Sequence, residues 1–205
     1  MRYDPPRPAG RLLLTPEDKD APARVRRLRG LGLGERAEPA FDAFADRLAE
    51  VAAVPYSMVN FIDEERQFFA GLHTPHGTGA GLRPVTATAD GAEYGGGAEY
   101  GPTYGAGRHM AREYGFCPHV VVRRRALVLE DVGDYPRFAG NPLVDEIGVR
   151  SYLGAPLIDH TGIALGTVCV VDMEPRPWGR SGLETIKALA AELVEQIERR
   201  EHGGI

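Results

Sequence analysis

The feature that most limits what this chain can become is a break in composition after His73. Between Gly77 and Gly107 there are ten glycines and almost no aliphatic side chain larger than valine, and Ala-Glu-Tyr-Gly occurs twice, at Ala92–Gly95 and Ala98–Gly101. So little apolar area cannot offset a backbone ordering cost of about 1–2 kcal/mol per residue. Residues 74–112 therefore read as a disordered insertion carried on a surface connection, and the core has to come from the blocks on either side.

The first block opens with a Pro-, Asp- and Arg-rich tail, residues 1–21, and a short helix from Pro22 that closes near Gly32 and Gly34. Pro39 starts a clearer helix whose Phe41, Phe44, Leu48 and Val51 recur at intervals of three and four. Tyr56–Asp63 reads as a partly buried strand, Asp63-Glu64-Glu65 as a charged turn, and Gln67–Leu72 as the return strand of a hairpin. In the second block, order resumes at Glu113, with a short helix near Pro118 and strands at Ala126–Val132, Val149–Ile158 and Ile163–Val171. A final helix is expected from Ser181 to Arg200, with Ser181 as N-cap and Glu184 completing a capping box. The interleaving predicts an α+β domain, residues 22–200, with an antiparallel sheet of five to six strands, helices on its faces, and a short tail at 201–205.

A formal net charge of −5 argues against a nucleic-acid partner, and Arg123-Arg124-Arg125 is read as a solvated helix end. No apolar run reaches the roughly 18 residues of a membrane span, and the N-terminus lacks the apolar core of a secretion signal. Two cysteines make no disulfide framework and show no metal-ligand spacing, so a reducing cytoplasm is expected and no metal is.

Several segments in order carry a resemblance. They are Phe116-Cys117-Pro118-His119; Asp134, Arg137, Phe138, Asn141, Pro142 and Val144; Val149, Arg150, Tyr152, Gly154, Pro156 and Leu157; and Gly166, Val168, Cys169, Val170 and Asp172. Together they resemble a subgroup of GAF domains from bacterial signalling proteins, and the likeness covers roughly residues 23–200 apart from the insertion. The resemblance implies a PAS-like fold and a regulatory, non-enzymatic role as a small-molecule or redox sensor. Members bind cyclic nucleotides, haem, bilins, 2-oxo acids or other small ligands, so neither ligand nor cofactor is specified. It also implies output through a separate signalling protein, or through a homodimer formed by terminal helices. The spacing of Leu183, Ile186, Ala190, Leu193 and Ile197 would suit such a seam.

Six residues are the candidate ligand contacts: Phe61, Cys117, His119, Arg137, Arg150 and Tyr152. Pro118 suits the first turn of a helix, which would put Cys117 at the N-cap, where the helix dipole favours a thiolate and redox sensitivity. Arg137 and Arg150 are the candidate clamps for an anionic ligand, with Arg137 otherwise pairing a nearby carboxylate. Phe61 and Tyr152 are candidate cavity walls. Cys169 lies in a strand-like run and reads as an inert buried thiol, and a bridge to Cys117 would need their Cα atoms within about 7 Å. The alternatives to a sensor are a thiol enzyme or switch centred on Cys117, similar to the free methionine sulfoxide reductases, and an interaction module that binds no ligand.

Overall fold

In a computed structural model of the protein, residues 15–75 and 108–203 are described. The segment 76–107, which holds most of the expected insertion, lies outside them, as do residues 1–14. The elements run α1 (Ala21–Gly30), α2 (Pro39–Ala52), β1 (Tyr56–Ile62), β2 (Arg66–His73), β3 (His109–Ala111), α3 (Cys117–Arg123), β4 (Leu127–Leu129), α4 (Pro136–Ala139), β5 (Ser151–Ile158), β6 (Ala164–Asp172) and α5 (Gly179–Gly203). A 3₁₀ turn at Val132–Asp134 and a π-turn at Leu143–Ile147 flank α4.

The six strands form one sheet in the order β3-β2-β1-β6-β5-β4, antiparallel throughout. Every residue of β6 is buried, because helices cover both faces of the central strands. The two-residue period of a strand then sorts its side chains into two cores. Val59 and Phe61 of β1, with Val168 and Val170 of β6, face α2 and α5, joined by Phe41, Phe44, Leu48, Ile186, Leu193 and Ile197. Met58 and Ile62, with Cys169 and Val171, face α3 and the turns around α4.

Several boundaries differ from the sequence reading. Order resumes at Arg108 rather than Glu113, because His109–Ala111 pairs with Arg66–Phe68 as an edge strand. Three residues are too few to show an alternation. Nor is the whole of residues 1–21 a loose tail, since Asp18 pairs with Arg24, a fully buried cation of α1. Arg24 also donates from Nε to the Ile62 carbonyl at 2.7 Å, closing the end of β1. Val51 is 55% exposed: the buried face of α2 passes through Phe41, Phe44, Ala45, Leu48 and Ala49, and Val51 falls just outside that arc.

The capping box does not form. Helix α5 starts two residues before Ser181, at Gly179, and Glu184 pairs with Arg180 at 2.7 Å. The first turn is capped from β4 instead: the Gly179 amide donates to the Glu130 carboxylate at 2.9 Å, and the Trp178 indole N–H donates to the Leu129 carbonyl at 3.3 Å. Of the expected seam on α5, Ile186, Ala190, Leu193 and Ile197 are buried on the sheet, and Leu183 is half-buried at a cleft against β5. Among the described residues, no helix is long and apolar enough to cross a membrane.

Candidate functional site beneath α3

The face of the sheet under α3 departs from an all-apolar core in a compact polar group. Asn60 and Thr167 are cross-strand partners on β1 and β6, and both are fully buried. Asn60 Nδ2 donates to Gln67 Oε1 at 2.8 Å, and Gln67 Nε2 donates to the Tyr114 carbonyl at 2.6 Å and the Ala111 carbonyl at 3.1 Å. A short chain of hydrogen bonds thus fixes the strand interior to the segment that leads into α3. Asn60 Oδ1 and Thr167 Oγ1 have no hydrogen-bond partner, although both side chains lie close enough to Cys117 to favour its thiolate. An unpaired buried polar atom costs about 1–3 kcal/mol, so two side by side call for an explanation.

Cys117 is the first residue of α3, one place inside the N-cap position, which Phe116 occupies; Pro118 follows within the first turn. The approach to the helix is fixed by buried Asn141, which accepts from the Gly115 amide at 3.2 Å and donates to the Gly115 carbonyl at 3.0 Å. Asn141-Pro142 has the residue types of a turn, and the structure makes Asn141 the clamp between the turn after α4 and the turn before α3. Its spacing before Pro142 was the signal for a turn, but nothing in the sequence points to Gly115 as its partner.

Cys117 Sγ lies 3.4 Å from Tyr152 Oη and 3.6 Å from Cys169 Sγ. The sequence reading took Cys169 for an inert core thiol, and the structure instead brings it into the cluster. Both cysteines are free and buried. Tyr152 reaches them because its side chain lies along β5 over Gly154, the cross-strand partner of Cys169. A Cβ at position 154 would collide with the Tyr152 hydroxyl, which explains the Tyr-x-Gly spacing. Donation from the Cys169 S–H pulls the Cys117 thiol below its ordinary range, against the opposing effect of burial. The same bond raises the Cys169 thiol, and burial raises the Tyr152 phenol, which stays protonated and able to donate.

The six candidates therefore separate. Cys117 and Tyr152 are in the cluster. His119 is buried two residues further along α3, its ring edge-on to Phe138 at 5.0 Å and its Nδ1 without a partner. Burial, then the nearby Arg137, Arg123 and Arg112, pushes its pKa down to about 4, so the ring is neutral at physiological pH. Phe61 lies on the opposite face, edge-on to Phe41 at 5.6 Å, and lines no part of this site. Arg137 is exposed with its guanidinium over the Phe138 ring at 5.8 Å; no carboxylate among the described residues pairs with it as expected. Arg150 is also exposed and grips Asp131 with two hydrogen bonds, at 2.6 and 3.2 Å. Neither arginine enters the buried cluster, because Arg137 sits on the outer face of the short helix α4 and Arg150 on the loop before β5. A cleft of about 520 Å³ elsewhere, between α5 and β5, is lined by Ala155, Pro156, Leu183 and Val194, with Arg125 and Lys187 beside it.

An antiparallel sheet with helices on both faces, and a buried polar cluster under one of them, defines an α+β module of PAS-like architecture. The family model for the GAF domain matches residues 36–197, and the chain belongs to that family. A cyclic di-GMP phosphodiesterase of Pseudomonas aeruginosa is 39% identical over 70 residues, which is 34% of this chain and 12% of that protein. This chain thus aligns with only a small part of that relative. Among solved structures, the GAF domain of an Acinetobacter phosphoenolpyruvate-protein phosphotransferase superposes with a TM-score of 0.54 at 15% identity, covering 92% of this chain and 99% of that one. A substrate complex of the free methionine-R-sulfoxide reductase of Neisseria meningitidis gives 0.56 at 12% identity, covering 90% and 87%. The blue-light-absorbing GAF domain of Thermosynechococcus elongatus PixJ gives 0.55 at 15% identity, covering 88% and 90%. These likenesses establish the fold.

Proposed function

We propose that this GAF domain is a non-enzymatic regulatory module of signal transduction, in which the cluster beneath α3 receives a small-molecule or redox signal. The observation that carries the reading is the pair of orphaned polar atoms, Asn60 Oδ1 and Thr167 Oγ1, buried side by side and facing Cys117. They suit a small ligand that brings hydrogen-bond donors, such as an amide, amine or hydroxyl. An anionic ligand is disfavoured, because both candidate arginines, Arg137 and Arg150, lie at the surface.

The route outward is also built from contacts. Leu129 of β4 pairs in register with Tyr152, and its carbonyl holds the Trp178 indole at the head of α5. Glu130 caps the first turn of the same helix. A shift of Tyr152 is thereby coupled to the start of α5, and through it to a partner protein or a second copy of the domain. Sensor-kinase and photoreceptor proteins among the structural neighbours fit this signalling role.

The proximity of two thiols favours a second reading, a thiol-dependent enzyme. Two assays separate the readings. A thermal-shift screen of small polar metabolites is expected to find a stabilising compound for the wild type. Incubation with free methionine sulfoxide and a dithiol reductant is expected to give no turnover; sustained reduction of the sulfoxide would replace the sensor reading with the enzymatic one.

A further inference from the structure

The most informative group left unused by ligand recognition is the thiol pair itself. Cys117 and Cys169 are far apart in sequence, on α3 and β6, yet their sulfurs approach to 3.6 Å. A disulfide needs about 2.0 Å, so a displacement of only about 1.6 Å at the sulfurs, within the reach of side-chain rotation and a small shift of α3, would join them. The two thiols are not equivalent. Cys117 heads a helix, accepts hydrogen-bond donation from Tyr152 and Cys169, and is 5% exposed. Cys169 lies in the middle of the central strand and is 1% exposed.

We propose that Cys117 and Cys169 form an internal dithiol–disulfide couple, with Cys117 the site of oxidation by a small peroxide and Cys169 the resolving thiol. The Cys117 thiolate attacks one peroxide oxygen; the O–O bond breaks, and hydroxide leaves and takes a proton to become water. Cys117 is then a sulfenic acid. Cys169 sulfur attacks the Cys117 sulfur, the S–O bond breaks, and the departing hydroxide takes the Cys169 thiol proton as a second water. In sum, two thiols and one hydrogen peroxide give one disulfide and two waters, with the peroxide reduced by two electrons. Tyr152 acts as a positioning residue, its hydroxyl donating to the Cys117 sulfur before the attack. Bridging would draw the first turn of α3 onto β6 and displace the Tyr152 hydroxyl from between the sulfurs and Gly154.

This inference rests on reading the cluster as the sensory site. The test is stoichiometric hydrogen peroxide added to the reduced full-length protein, followed by thiol titration in denaturant, intact mass and peptide mapping. The expected result is loss of both thiols, a mass lower by two hydrogens, and a Cys117–Cys169 linked peptide within one chain. In Cys169→Ser the expected product is instead a Cys117 sulfenic acid that dimedone traps, while Cys117→Ser leaves Cys169 unreacted. Tyr152→Phe is expected to slow the oxidation about tenfold, the worth of one hydrogen bond to a charged group, and to raise the pH at which the rate is half-maximal. Folded wild-type protein that keeps both thiols, or that links Cys117 only between chains, overturns the couple. Native mass spectrometry of the reduced protein tests the sensory reading separately: a bound ligand with inert thiols defeats the couple alone. A disulfide that forms in a protein whose cluster binds nothing, and whose α5 keeps the same amide exchange, upholds the couple and defeats the sensory reading.

Discussion

The two faces of the sheet are built from the same strands and do different work. Toward α2 and α5, β1 and β6 present Val59, Phe61, Val168 and Val170 to a hydrocarbon core. One residue along in each strand, toward α3, they present Asn60, Thr167 and Cys169. The first face is optimised for burial, where each large side chain contributes about 1.5–3 kcal/mol by leaving water. The second accepts unpaired polar atoms and two buried thiols in a position where valines would fold better. That contrast is the basis of the proposed sensory reading, since buried polar groups that cost stability tend to sit at functional sites.

Four substitutions or conditions sharpen the comparison. The largest expected effect is on the apolar face. Phe61→Ala removes the ring that meets Phe41 and should cost about 3–5 kcal/mol in denaturant unfolding, with the thiol cluster unchanged in any surviving folded protein. On the polar face, Gly154→Ala should cost less, about 1–3 kcal/mol, because the new methyl collides with the Tyr152 hydroxyl. Unlike Phe61→Ala it should also change thiol reactivity, which titration in the native state would reveal. Thr167→Val should have the opposite sign: removing an unpaired buried hydroxyl is expected to stabilise the fold by about 1 kcal/mol while abolishing ligand binding.

The fourth is pH-dependent. His119 is held neutral, with its pKa lowered to about 4 chiefly by burial. Above about pH 6.5 neither the folded nor the unfolded chain binds the proton, and His119 contributes nothing to the pH dependence. Between about 6.5 and 4 the unfolded chain protonates first, so stability should fall as pH falls, and level off below about 4. His119→Gln should flatten that part of the curve in a series of denaturant titrations; an unchanged slope would place the dependence elsewhere.

How much of this was legible in the sequence follows the same division. The strands, α2 and the mixed α+β layering were readable, because Phe41, Phe44 and Leu48 or Val168 and Val170 announce themselves by period. Strand β3 was not, since His109–Ala111 is held by pairing with β2 and carries no pattern of its own. The start of α5 was misplaced because its cap comes from Glu130, 49 residues away. At the site, Cys117 and Tyr152 could be named from their motifs. Cys169 could not be joined to them, since only the packing of α3 on β6 brings the sulfurs together. Asn60 and Thr167 were invisible for a related reason: a polar residue in an apolar strand signals nothing until its partners, or their absence, are seen. Phe61 lies on the other face from the thiol cluster, lining a small cavity beside α1 with Leu28 and Phe68, because a step of one residue along a strand changes the face without any change in apparent character.

Native mass spectrometry of freshly purified wild type beside Thr167→Val tests the account most directly. The account predicts an added mass on the wild type that vanishes on denaturation and is missing from the more stable variant. An adduct retained unchanged by Thr167→Val, or an adduct-free wild type whose stability no small polar molecule raises and whose α5 keeps the same amide exchange when the thiols are oxidised, would contradict the assignment of the α3 face as the place where the signal is received.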